Sequence, residues 1–132
     1  MKVFDKHGEL VVFSSHISDA PTGLGFFSDD SDFIQVGTWR YDSGTHLPRH
    51  RHLKHQKIGL KTQECVFVFK GKIRGSFYDE DGAFLKSAEF HSGCIIVSLG
   101  GGHAYDILED DTIVLETKNG PYFGPEIDRL RY

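Results

Sequence analysis

Apolar, β-branched and aromatic residues occur along this chain in short runs separated by turn residues. The runs Glu9–Phe13, Phe33–Tyr41, Thr62–Lys70, Ile73–Tyr78, Cys94–Ser98 and Thr112–Thr117 suit a pleated, half-buried surface. Between them stand Lys6-His7-Gly8, Pro21-Thr22-Gly23, Asp42-Ser43-Gly44, Asp79-Glu80-Asp81-Gly82, Leu99-Gly100-Gly101-Gly102 and Asn119-Gly120-Pro121. No segment sustains a helical period over three turns, so the pattern predicts an all-β fold of antiparallel strands.

The clearest hairpin is Asp79–Gly82, where an acidic turn ends in a glycine able to adopt left-handed backbone between Phe77-Tyr78 and Phe84-Leu85. In the run from Glu64, period two places Glu64, Val66 and Val68 on one face and Cys65, Phe67 and Phe69 on the other. Both faces are apolar, which marks a central strand. If one face lines the interior, Phe67 and Phe69 are left to cover another sheet or a second subunit, and a homodimer is expected. Residues 1–33 read as an added hairpin and loop covering one sheet edge, with the main domain over 34–132. Strand spacing alone leaves sandwich, jelly roll and closed barrel open.

A length of 132 residues is one domain's worth of chain, and hence one core and one site. The charge of −4 comes from 15 basic and 19 acidic residues interspersed along the sequence, with no basic face for nucleic acid. The start Met1–Gly8 has no signal-like apolar run and no stretch matches a membrane span, so a cytoplasmic protein with no membrane partner is expected. Cys65 and Cys94 both lie in apolar runs and read as reduced core residues.

The unusual feature is eight histidines, several of them between positions 46 and 55. In Gly44-Thr45-His46-Leu47-Pro48-Arg49-His50-Arg51-His52, the last two histidines would share one face of a strand, close enough to chelate an ion. The same spacing also fits an ordinary polar strand face. Glu64 heads an apolar strand, where a carboxylate is either exposed or buried with a partner such as a metal. His103 follows three glycines, where a side chain can turn into a cavity or simply sit in a turn.

Taken together these residues resemble the two motifs of the cupin superfamily. Gly44, His50-Arg51-His52, Glu64 and Gly71 match the first, although eleven residues, Leu53 to Gln63, separate the second histidine from the glutamate where the family usually has three or four. Gly93, Gly100 and His103 echo the second, with Ser98 in the usual proline place and Ile107 in that of asparagine. Over Phe33–Arg131 the chain looks like small bacterial cupins associated with polysaccharide or sugar-nucleotide pathways. The resemblance implies a single jelly-roll type antiparallel β-barrel over 34–132 and a divalent metal held by His50, His52, Glu64 and His103. Such a nitrogen and oxygen set does not choose among Zn, Fe, Ni and Mn.

The expected ligand is a small polar molecule of carbohydrate type. The reaction expected first is isomerisation or epimerisation, with His46, His55 or Tyr105 as proton-moving candidates. An iron-dependent dioxygenase and a non-catalytic sugar- or metal-binding module use the same residues. Tyr105 and Asp106 are candidates to orient an imidazole.

Overall fold

The fold is described from a computed structural model for residues 1–131. It is all-β and antiparallel: β1 (Lys2–Phe4), β2 (Leu10–His16), β3 (Gly23–Phe26), β4 (Gly37–Arg40), β5 (Glu64–Lys70), β6 (Lys72–Tyr78), β7 (Phe84–His91), β8 (Cys94–Ser98), β9 (Gly102–Ile107) and β10 (Ile113–Lys118), followed by one helical turn, α1 (Pro125–Asp128). No described helix is long and apolar enough to cross a membrane.

The strands form three hydrogen-bonded sheets, ordered β1-β2-β8-β5-β10, β7-β6-β9 and β3-β4. This corrects the expectation of a closed barrel. The larger two sheets pack face to face, as in a β-sandwich. Val3, Val12, Val66, Val68 and Ile96 of the five-stranded sheet meet Ile73, Phe77 and Phe90 of the three-stranded one in a single buried cluster. The alternation in β5 takes Val66 and Val68 inward to this core.

The other face of β5 explains its second apolar row. Cys65 and Phe67 pack with Phe13, Ile95 and Val97 in a second cluster, which Phe27, Ile34 and Val36 join from the segment between β3 and β4. The chain's own N-terminal portion therefore covers Phe67, which removes that residue from the grounds for a dimer. Phe69 stays exposed. The β1–β2 hairpin is built into the large sheet through the β2–β8 ladder, which pairs Val12 with Ser98 and His16 with Cys94.

The Asp79–Gly82 hairpin forms as its residues dictate. Asp79 is buried and its Oδ1 accepts from the backbone N–H groups of Asp81 and Ala83, at 3.0 and 2.8 Å. Gly82 takes a φ of 84°, which a residue with a Cβ rarely adopts.

Two parts of the pattern reading need correction. The expected Phe33–Tyr41 strand is only Gly37–Arg40, and no strand carries His50-Arg51-His52, because the chain between Arg40 and Glu64 has no regular secondary structure. Conversely, Gly102–Ile107 is a full strand, pairing Phe77 with His103 and Gly75 with Tyr105. Its glycine and polar composition gives no local strand signal, and the pairing with β6 imposes it.

Cys65 and Cys94 are both free thiols. Burial pushes the Cys65 thiol above its ordinary range, partly offset by a hydrogen bond with Thr117. A raised pKa means a smaller thiolate fraction at any pH below it, and the thiolate is the nucleophile. Cys65 is therefore expected to react with iodoacetamide several-fold more slowly than an unhindered thiol at pH 8, followed by mass spectrometry of the native protein. Alkylation at the unhindered rate would contradict the packing of β5.

Candidate functional site

The first half of the site comes from two strands on opposite sheets. Glu64 opens β5 and His103 is the second residue of β9, and their side chains meet across the end of the core with His103 Nε2 3.1 Å from Glu64 Oε2. Glu64 is buried, while the His103 side chain keeps 29 % of its surface exposed. The pair thus lies at a boundary between core and solvent. The hydrogen bond from His103 is the main influence holding the Glu64 carboxyl below its ordinary range. Burial opposes it, and the positive charges of His103, Lys118 and Arg129 act in the same direction as the hydrogen bond.

Around the pair stand further polar groups. Ser98, buried on β8, is the ladder partner of Glu64. The Tyr105 ring lies beside His103 at 5.4 Å between centroids and edge-on to Phe77 at 6.4 Å. Its hydroxyl is buried and makes no hydrogen bond of good geometry, although Ser98 is its polar neighbour. Burial is the main cause raising the Tyr105 pKa, and the nearby charge of Glu64 adds to it. Tyr105 consequently stays protonated at working pH and acts as a donor, not as a base. Asp106 has the opposite orientation on β9, as strand alternation requires, and is exposed.

The second half is the histidine pair of the long loop. His50 and His52 are both exposed, yet their rings stand edge to face at 5.3 Å between centroids. His50 Nδ1 lies 3.1 Å from the Pro48 carbonyl oxygen. A carbonyl oxygen only accepts, so Nδ1 donates, and in the neutral ring Nε2 then keeps the lone pair with which an imidazole can bind a metal. The sequence carries this signal only as the position of Pro48, two residues ahead. His46 and His55 are exposed on the same loop.

The structure therefore assembles the four metal candidates as two pairs. Among the described residues no three His, Cys, Asp or Glu side chains are grouped so as to hold an ion. Two donors bound at about 2.0–2.1 Å to the same ion stand roughly 3.0–3.4 Å apart, a range that includes the 3.1 Å between His103 and Glu64, which is also an ordinary hydrogen-bond length. Two imidazoles ligating one ion bring their rings to about the separation seen for His50 and His52.

A cleft of about 920 Å³ is formed by other residues. Leu10, Phe13, Phe27, Gln63, Leu99 and Gly101 are among its lining residues, and none of the four metal candidates is. Comparison with protein-family models, with curated proteins and with solved structures gave no match to this chain.

Proposed function

We propose that the chain is a metal-binding protein of cupin type, in which Glu64 and His103 form the inner half of the metal site and His50 and His52 the outer half. The observation that carries this reading is the 3.1 Å approach of His103 to Glu64. Two residues 39 positions apart in the chain, singled out by the motif spacing, meet at the edge of the core. A divalent ion bound there supplies Lewis acidity toward a carbonyl or hydroxyl oxygen of a ligand. Collecting all four donors on one ion requires the chain between Arg40 and Glu64 to bring His50 and His52 to the Glu64–His103 pair.

The ligand class is a small polar molecule of carbohydrate type, and the reaction class proposed first is isomerisation or epimerisation. Of the three candidates Tyr105 stands beside His103, and being held protonated it can donate a hydrogen bond to a ligand oxygen. A second reading, binding without turnover, is favoured by one observation: Tyr105, which stands beside His103, is held protonated and is therefore no base. Loaded separately with Zn, Fe(II), Ni and Mn, the protein distinguishes the two by turnover or simple binding of ketose and aldose phosphates.

Metal retention is expected to fall as pH drops from neutral through the range around the free imidazole pKa of about 6.5, because only neutral imidazole coordinates. Glu64 sets no limit in this window, since its carboxyl is already ionised well below it. Metal content measured after equilibration against buffers of stepped pH checks this. Retention independent of pH down to the carboxylate range would exclude histidine ligation.

A further inference from the structure

The two glycines Gly100 and Gly101 line the cleft of about 920 Å³, and they are there for different reasons. Gly101 has a φ of 65°, and a Cβ on it would run into the Tyr78 carbonyl oxygen, so backbone and packing both require glycine. Gly100 lies outside the left-handed region, and within 4 Å a Cβ on it would meet only the ends of Lys61 and Glu80, at 3.8 and 4.0 Å. Neither backbone nor packing excludes a side chain there. Lys61 and Glu80 themselves line the cleft, so the missing side chain leaves cleft space open.

The buried part of the lining is apolar. Phe13 is buried and Leu10, Phe27 and Leu99 are half-buried, and all four belong to the cluster on the outer face of the five-stranded sheet. The rest of the lining is charged. Lys61 is paired with Glu80, and the other charged groups are Lys2 against Asp5, Glu9, Asp29 and Asp32. With histidine counted as neutral, the cleft holds an excess of three negative charges, where the whole chain carries four. The carboxylates are set in place before any ligand arrives: Asp29 Oδ1 accepts from the Ser31 hydroxyl at 2.7 Å, and Asp32 Oδ2 accepts from the Asp29 N–H at 2.8 Å. The Ser31 hydroxyl also holds the Asp29 carboxyl below its ordinary range, and the Glu9 N–H does the same for Asp5.

A volume of about 920 Å³ falls within the roughly 300–1,000 Å³ of small-molecule sites. Charge complementarity asks for a cation, and two observations decide its kind. No three of these carboxylates are grouped so as to hold a metal ion, so the positive charge must be spread along the ligand. The apolar surface between them calls for methylene groups between the charges. We propose that the cleft binds an aliphatic polyamine, with its methylene segments on Leu10, Phe13, Phe27 and Leu99 and its ammonium groups at Asp5, Glu9, Asp29 and Asp32. The site shares no residue with the proposed metal centre and stands or falls without it.

Calorimetric titration of the full chain with spermidine, at about 50 mM salt, tests this. One spermidine per chain is expected to bind with a Kd below about 1 mM, and about 0.5 M NaCl is expected to weaken it several-fold. Gly100→Leu fills the open space and is expected to weaken binding at least about 10-fold through steric clash. Glu9→Gln combined with Asp29→Asn removes two charges while an amide oxygen still accepts from Ser31, and a loss of at least about 5-fold is expected. Asp110→Asn removes an exposed carboxylate outside the cleft and is expected to change nothing. Far-UV circular dichroism verifies folding of each variant. Absence of saturable binding overturns the proposal, as does parental affinity in the folded Glu9→Gln/Asp29→Asn protein. An equal loss in Asp110→Asn also overturns it, because the attraction is then diffuse. Displacement of spermidine by an equal concentration of magnesium would assign the cleft to a compact ion instead.

Discussion

A His103→Ala protein is expected to purify folded but to retain less than about a tenth of the parent's metal. Loss of residues that merely orient a ligand costs roughly 10–100-fold in affinity, and loss of a ligand costs at least as much. His103 Nε2 points at Glu64, and its partly exposed ring lies beside Tyr105. Its neighbours on β9 are held by the β6 ladder through backbone groups that the substitution leaves untouched. His52→Ala is expected to act in the same direction, since it removes one ring of the His50–His52 pair. His55→Ala serves as the control, because His55 is an exposed loop residue outside both pairs. Elemental analysis after identical loading, with circular dichroism for folding, reads all three. Parental metal content in both His52→Ala and His103→Ala would end the metal reading and leave Glu64–His103 as a plain ion pair closing the sandwich. The fold should survive chelation in either case, because its core is hydrophobic and contains no ligand side chain.

Phe77→Ala is expected to have the largest effect on stability. Phe77 is fully buried at the centre of the interface between the two large sheets, with Phe90 edge-on at 6.2 Å and Tyr105 at 6.4 Å. Truncating such a ring costs about 3–5 kcal/mol, the transfer of the ring plus the cavity left behind. That is a large share of the roughly 5–15 kcal/mol that holds a domain of this kind together. Collapse into the space is restricted, because Gly75 on the same strand offers no side chain to fill it and the neighbours are strands fixed by ladders on both sides. A melting temperature lower by about 10–20 °C is expected, with thermal unfolding followed by circular dichroism. A shift of a few degrees would mean that the two sheets are not packed through this ring. Since Phe77 is the ladder partner of His103, the same variant should also loosen the candidate site.

Local chemistry decided those elements whose signals are local. The alternation in Glu64–Lys70 places Val66 and Val68 inward and Cys65 and Phe67 outward, and Asp79–Gly82 closes its hairpin with its own carboxylate and a left-handed glycine. Apolar residues on both faces of β5 correctly implied cover on both sides, because a strand cannot hide its pattern of period two. What supplies the cover was not readable: it is the segment of Phe27, Ile34 and Val36 for Phe67, and nothing within the described chain for Phe69. The assignment required knowing which distant segment lies over the sheet.

The candidate site divides along the same line. Residue type and interval nominated His50, His52, Glu64 and His103, since imidazoles and a carboxylate at recurrent spacing are visible in one dimension. That His103 reaches Glu64 was decided by β9 pairing with β6 and the two large sheets stacking, contacts between residues far apart in the chain. His50 and His52 came together without the strand that their spacing implied; they lie on the irregular chain between Arg40 and Glu64, where no ladder fixes their position. The β3–β4 ribbon is the plainest case. Leu24, Phe26 and Trp39 are apolar in the sequence, and only the structure shows that they share the exposed face of the ribbon. Hydrophobicity determines that a side chain seeks cover, and packing at a distance determines what provides it.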